Sequence, residues 1–172
     1  MAKTEHHADE RRAIPGDGLL HVAPLVGIAV LVVNDHWLKG ACGSWWTGKL
    51  SDVAGLVFFP LFLQAVWEVI LATLRLRWGP SRRVLAWAAG ATVTMFCLVQ
   101  LWAPASWLYR HGLGHIQWPL RAGWSLMTGA STPPVAPVQL TADPTDCLAA
   151  PAVLLALWAG WHRHWQTDRH PE

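Results

Sequence analysis

Residues 53–74 read VAGLVFFPLFLQAVWEVILATL, and this stretch decides the class of fold. Only Gln64, Glu68 and Thr73 bring strongly polar side chains into 22 residues that are otherwise apolar, aromatic or small. A helix rises about 1.5 Å per residue, so this length extends about 33 Å and crosses a hydrocarbon core about 30 Å thick. A core helix of a soluble protein would need a polar face toward water. The sequence therefore predicts a membrane-spanning helix.

The composition of the whole chain agrees with this prediction. Of 172 residues, 53% are hydrophobic and only 14% are charged, whereas soluble domains have about 45–50% and about 25%. The 13 tryptophans and the net charge of +2 are not typical of a disordered chain, a nucleic-acid binder or a secreted disulfide scaffold. We expect membrane lipid as a partner and no nucleic acid.

Three further apolar stretches complete the predicted fold. They cover about residues 19–38, 84–103 and 147–165. We predict an all-α integral membrane bundle of four helices within residues 19–165, with a long outer loop over 104–146. Residues 1–18 and 166–172 are predicted to be cytoplasmic tails. Tryptophan prefers the headgroup zone, and nine tryptophans lie at or just beyond the predicted span ends: Trp37, Trp45, Trp46, Trp78, Trp87, Trp102, Trp107, Trp161 and Trp165.

The positive charges predict the orientation of the bundle. Nine Lys and Arg residues lie before span one, between spans two and three, or at the end of the chain from residue 163; four lie on the other side, in much longer loops. Positively charged residues remain on the cytoplasmic side. Both termini are therefore expected in the cytoplasm, and the protein is expected in a bacterial inner membrane.

Two rows of small residues predict where the helices pack. One row lies in span four and the other in span three: Ala152, Ala156 and Gly160, then Gly90, Thr94 and Cys97. Small side chains let helices approach closely in lipid.

Gln64 and Glu68 are polar residues within span two, four positions apart. A carboxylate inside a membrane segment calls for a partner or a function. One interpretation is that Glu68 reaches the cytoplasmic interface near Arg75 or Arg77. The other is a proton or cation relay with Gln64, as in a small carrier.

The predicted topology brings three polar motifs to the outer membrane face. Their candidate binding residues are Asn34, Asp35, His36, Lys49 and Asp143, and their candidate catalytic residues are Asp52 and Asp146. One interpretation is structural, because Asp52 and Asp146, or the preceding Ser51 and Thr145, suit helix N-caps.

Two other interpretations of these motifs are chemical. No cofactor is predicted outright, but Asp35, His36, Asp52 and Asp146 carry oxygen and imidazole ligands that could hold a divalent cation. A crowded Asp52 and Asp146 pair could instead act as a general acid and base.

The same motifs carry a family resemblance. Asn34-Asp35-His36, the segment 47–52 with Gly55 and Phe58-Phe59-Pro60 after it, and the segment 143–148 resemble a bacterial family of small multi-span proteins of unknown function. More distantly, the Asp-containing motifs before spans two and four resemble the VanZ-like family. That family is a four-helix membrane group whose founding member is linked to glycopeptide tolerance. This chain departs from its Asp-Lys-x-x-His order, and the resemblance implies the four-helix fold but not the tolerance.

The outer loop and the cysteines leave further possibilities open. Residues 107–128 could form a short helix on the membrane surface, but Gly112, Gly114 and Pro119 predict that any such helix is broken. His111 and His115 have the spacing of helical zinc ligands but no third ligand in pattern. A disulfide between Cys42 and Cys147 is another possibility, while Cys97 is predicted to be an inert packing residue.

The sequence thus favours a non-enzymatic envelope accessory protein, whose outer polar site binds an envelope lipid or a protein partner. A membrane-embedded hydrolase using Asp52 and Asp146, with or without a metal, is the first alternative. A small carrier or ion pathway through Gln64 and Glu68 is the second. No sequence signature identifies a substrate or an oligomeric state.

Overall fold

The computed structural model describes residues 14–42 and 45–168. The side chains of Asp35, Lys39, Cys42, Trp45 and residues 163–168 lie outside the described part, as do most of the predicted N-terminal tail and the end of the C-terminal one. Throughout the described ranges the regular structure is helical, with no strand. The predicted all-α class is confirmed.

Short connections join the helices up to α5, and a long segment with a 3-10 portion separates α5 from α6. In chain order they are α1 (Val22–Val33), α2 (Lys39–Cys42), α3 (Trp45–Thr73), α4 (Arg82–Leu101), α5 (Ala103–Met127) and α6 (Val153–Asp168). A 3-10 turn, Asp17–Leu20, precedes α1, and a π turn, Asn34–Leu38, extends it. A longer 3-10 segment, Pro144–Ala152, leads into α6. Helix α3 is central, because it packs against α1, α4 and α6.

Within the described residues, two helices are long and apolar enough to cross a membrane. They are Trp46–Thr73, with a mean hydropathy of 1.9, and Arg82–Leu101, with a mean hydropathy of 1.8. These helices correspond to the second and third predicted spans. Helix α1 is shorter and apolar, and the fourth apolar stretch is divided between the 3-10 segment and α6.

The N-cap predictions for Asp52 and Asp146 are wrong. Helix α3 begins at Trp45, so Ser51 and Asp52 lie almost two turns inside it. The side chain of Asp143 caps the 3-10 segment by accepting from the Thr145 amide at 2.8 Å, and the Asp146 amide donates to the Asp143 carbonyl. A lone glycine, Gly48, does not stop α3, because its helix-propensity cost of about 1 kcal/mol is offset by packing.

The expectation of a broken helix in the outer loop is also wrong. Residues 103–127 form one continuous helix, and a strap with no regular secondary structure (residues 130–142) runs back along it. A Cβ atom at Gly114 would overlap the Ala136 carbonyl, so this glycine permits the close approach. The strap bonds to Arg110 and Trp118 on the helix, and these contacts offset the helix-breaking preferences of the glycines.

One of the two predicted packing rows is confirmed. Ala156 and Gly160 are buried, and Ala156 belongs to the core cluster with Leu61 and Leu85. In α4, however, Gly90 and Thr94 are exposed. The buried face of α4 carries Leu85, Ala89, Val99 and Gln100 instead.

The cysteines of the described chain do not form the proposed bridge. Cys147 is a free thiol that is hydrogen-bonded to the free thiol of Cys97 in α4. The possible Cys42–Cys147 disulfide involves a Cys42 side chain that lies outside the described residues, and Cys147 is free in this structure. Cys97 packs at the contact between α4 and the 3-10 segment, as expected for a packing residue.

Candidate functional site

A buried asparagine joins the end of α1 to the first turns of α3. The Asn34 side-chain amide donates to the Thr47 carbonyl and to the Ser51 hydroxyl, both at 2.6 Å. Asn34 is fully buried, and its side-chain oxygen has no hydrogen-bond partner within the described residues. The π turn that begins at Asn34 turns this side chain toward α3. This predicted binding residue therefore holds the polar segment of α3 in place.

An ion pair connects α3 to the start of the fourth apolar segment. The Lys49 ammonium contacts the Asp146 carboxylate and also donates to the Thr145 hydroxyl at 2.8 Å. The two paired side chains are only 12% and 17% exposed. The fold brings these residues together across almost 100 positions of sequence.

Gln100 completes this cluster and was not among the residues predicted from the sequence. Its amide nitrogen donates to the second carboxylate oxygen of Asp146 at 2.9 Å, and its amide oxygen accepts from the Asp143 backbone at 3.1 Å. Its signal in the sequence is slight, a single amide in the last turn of α4. We call Lys49, Gln100, Thr145 and Asp146 the outer clamp.

Asp143 lies at the edge of the outer clamp. The Thr145 backbone amide, followed by the Thr145 hydroxyl, lowers the pKa of this carboxyl below its ordinary value. A depressed pKa means that the carboxylate stabilises the fold above the unfolded-state pKa. That contribution is lost as the pH falls through the folded-state value. Asp143 therefore serves as the N-cap of the 3-10 segment.

A half-open cavity of about 520 Å³ lies beside the outer clamp, and we call it the outer groove. Helix α3 forms its floor, with α1 on one side and α4 on the other. Its polar lining at one end comes from Ser51, Asp52, Gln100 and Tyr109. The rest is almost entirely apolar, from Leu31, Gly55, Leu56, Phe59, Leu63, Ala91, Met95, Phe96, Val99 and Leu140, with Thr92.

The dimensions of the outer groove resemble those of a membrane leaflet. From Asp52 to Leu63 the groove follows twelve residues of α3, or about 17 Å of helix. One leaflet is half of a hydrocarbon core about 30 Å thick. The hydroxyl of Thr92 donates to the Ala88 carbonyl at 2.8 Å, so it adds little polarity to the deep end.

The predicted metal ligands do not form a metal site within the described residues. No three His, Cys, Asp or Glu side chains of that part come together. The ring of His36 is exposed and bonds to the Val32 carbonyl at 3.0 Å in its own helical segment. His111 and His115 likewise contact carbonyls one turn earlier in α5. The side chain of Asp35 lies outside the described part.

Glu68 faces the interior of the helical bundle rather than the cytoplasmic interface. It is 1% exposed and accepts from the Gln64 side chain and from the Gly16 backbone amide, both at 3.1 Å. The prediction that it extends toward Arg75 or Arg77 is therefore wrong. Gly16 adopts a positive φ of 81°, a conformation that glycine permits, and this turns its amide toward Glu68.

A second cavity beside Gln64 has only about 10 Å³, the space of about one water. It is lined by Gly18, His21, Leu61, Gln64, Ala159 and Gly160. Gln64 and Glu68 thus fasten the N-terminal turn to α3, which is a structural use of both side chains.

Comparisons of the chain with protein-family models, with curated proteins and with solved structures find no match. The outer clamp and the outer groove must therefore be interpreted from their own chemistry.

Proposed function

We propose that this chain is a four-span protein of the bacterial inner membrane, with both termini in the cytoplasm, which binds an amphiphilic envelope molecule in the outer groove without converting it. The observation that carries this proposal is the distribution of polarity in the groove. Its polar side chains lie at one end, and the remaining length is apolar. An amphiphile has the same distribution.

The size of the outer groove supports a lipid chain as the apolar part of the ligand. A volume of about 520 Å³ falls within the range of about 300–1,000 Å³ that is common for small-molecule sites. A depth of about one leaflet lets a chain enter sideways while its headgroup stays at the membrane surface. The acidic Asp52 and the hydroxyls of Ser51 and Tyr109 favour a headgroup with ammonium or hydroxyl donors.

The outer clamp favours binding over hydrolysis. Both carboxylate oxygens of Asp146 are engaged, one with Lys49 and the other with Gln100. An acid–base pair of Asp52 and Asp146 would need one of these carboxylates to exchange protons with a substrate. Gln100 also lines the groove, so the clamp fixes one wall of the binding site.

Filling the groove tests the proposal. Ala91→Phe places a ring in the groove, and we expect labelling by phosphatidylethanolamine with a photoreactive acyl chain to fall about tenfold, or about 1.4 kcal/mol in binding free energy. The full chain in nanodiscs is labelled over a range of probe concentrations, and the adduct is measured by mass spectrometry. The same labelling with phosphatidylglycerol reports whether the headgroup contributes.

The matched control is Ala86→Phe, which introduces the same ring on α4 at an exposed position outside the groove lining. This variant should label like the unmodified chain. Equal labelling of both variants, with adducts outside the groove residues, would refute a lipid site in the groove.

A further inference from the structure

Helix α5 has an apolar face that extends over five turns. Tyr109, Ile116, Leu120 and Met127 share one side of the helix, since successive residues are rotated by about 100°. All four are exposed, with Leu120 at 78% and Met127 at 84%. Trp124, also exposed, borders the same side. An apolar strip of this length has a favourable contact only with another apolar phase.

The strap covers the opposite side of α5. Trp118 donates from its indole nitrogen to the Pro133 carbonyl at 2.8 Å. The Arg110 backbone carbonyl accepts from the Val138 amide at 3.0 Å, and the Arg110 side-chain Nε donates to the Val138 carbonyl at 3.3 Å. On the same side of α5, the absence of a side chain at Gly114 lets the Ala136 backbone of the strap lie against the helix. The strap therefore leaves the apolar face uncovered within the described residues.

The charges near α5 identify what covers that face. No Asp or Glu occurs from residue 69 to residue 142, and Arg110 and Arg121 flank the apolar strip of α5, about 100–120° around the helix from its middle. An apolar face bordered by basic residues is typical of helices that lie in the surface of an anionic bilayer. Tyr109 belongs both to the apolar strip and to the lining of the outer groove, so the strip leads to the polar end of the groove.

We infer that α5 lies in the plane of the outer membrane surface, with Ile116, Leu120 and Met127 among the acyl chains and Arg110 and Arg121 near lipid phosphates. The inference rests on the proposed membrane topology, and its partner is the phospholipid surface itself. Helices of this kind place their apolar side about 5–10 Å into the boundary between headgroups and chains. In this position Tyr109 stands where a lipid would enter the groove.

Site-directed spin labelling tests this placement. Single cysteines replace Ile116, Leu120 and Arg121 in the full chain with its native cysteines changed to alanine, reconstituted in vesicles of phosphatidylethanolamine and phosphatidylglycerol. We expect labels at 116 and 120 to collide more with oxygen than with a water-soluble nickel chelate, and the label at 121 to show the opposite order. A label at Leu98, an exposed residue of α4, is the control for membrane embedding.

Three outcomes would overturn the inference. Labels at 116 and 120 that collide mainly with nickel, while Leu98 collides with oxygen, would place α5 in water and leave the four-span topology intact. Labels at 116 and 120 shielded from both reagents would show that protein covers the face. A label at Leu98 that collides mainly with nickel would contradict the membrane embedding as well.

Discussion

Gly160→Ala is expected to lower the free energy of unfolding by about 2 kcal/mol, as overpacking of a filled core does. A Cβ atom at this position would overlap the Leu85 side chain and would lie 3.5 Å from Leu61 Cδ2. Leu85 is 0% exposed, so it has little room to change rotamer. The closely packed α3, α4 and α6 would have to separate. Unfolding of the purified full chain in mixed micelles, followed by circular dichroism, measures the change.

Gly90→Ala is the matched control for that substitution. Gly90 is also helical, but a Cβ atom there would meet nothing within 4 Å. Alanine is favoured over glycine inside a helix by about 1 kcal/mol, so this variant should unfold at the same denaturant concentration or a higher one. A Gly160→Ala variant as stable as Gly90→Ala would contradict the close packing of α6 against Leu85 of α4.

Lys49→Met is expected to have the largest effect, a loss of about 3 kcal/mol in the free energy of unfolding. The substitution keeps the length of the side chain but removes its charge. The Asp146 carboxylate then remains largely buried with only its Gln100 hydrogen bond. Breaking one side of a buried ion pair is costly because the desolvation of the remaining charge is no longer compensated. Unfolding in mixed micelles, followed by circular dichroism as above, measures this loss of unfolding free energy.

Two further variants distinguish the cost of breaking this ion pair from the cost of simply removing a positive charge. The double variant Lys49→Met/Asp146→Leu removes both charges, and we expect it to recover more than half of the lost stability. Arg77→Met removes an exposed charge after α3 and should change stability by less than about 0.5 kcal/mol. A single Lys49→Met variant as stable as the double variant would show that the pair is not a structural clamp.

Hydropathy was sufficient to predict the main helices of the fold. The apolar run at 53–74 and the one at 84–103 correspond to α3 and α4, because both runs are long enough to cross a bilayer. Helix α5 could not be predicted in this way. Its glycines and Pro119 disfavour a helix locally, and the compensating contacts come from the strap, which follows in sequence and returns in space.

The outer clamp was likewise predictable from local sequence only in part, because its contacts join residues distant in sequence. The motifs with Lys49 and Asp146 indicated that both residues lie on one face. Their pairing, however, depends on how α3 packs against the 3-10 segment, and no local pattern encodes that. Gln100 was missed because one amide at the end of a span forms no motif. A cap is one interpretation of Asp52 because the apolar run begins just after this residue, but α3 begins earlier, at Trp45.

Topology mapping in intact cells tests the central claim, that the outer clamp and the outer groove lie on the extracytoplasmic side of a membrane bundle. Ser131→Cys in the strap and Gly79→Cys between α3 and α4, both at exposed positions, are treated with a membrane-impermeant maleimide in the cysteine-free chain. The account predicts that Ser131→Cys is labelled in intact cells and Gly79→Cys only after permeabilisation. Labelling of Gly79→Cys in intact cells, or labelling of both positions only after permeabilisation, would contradict it.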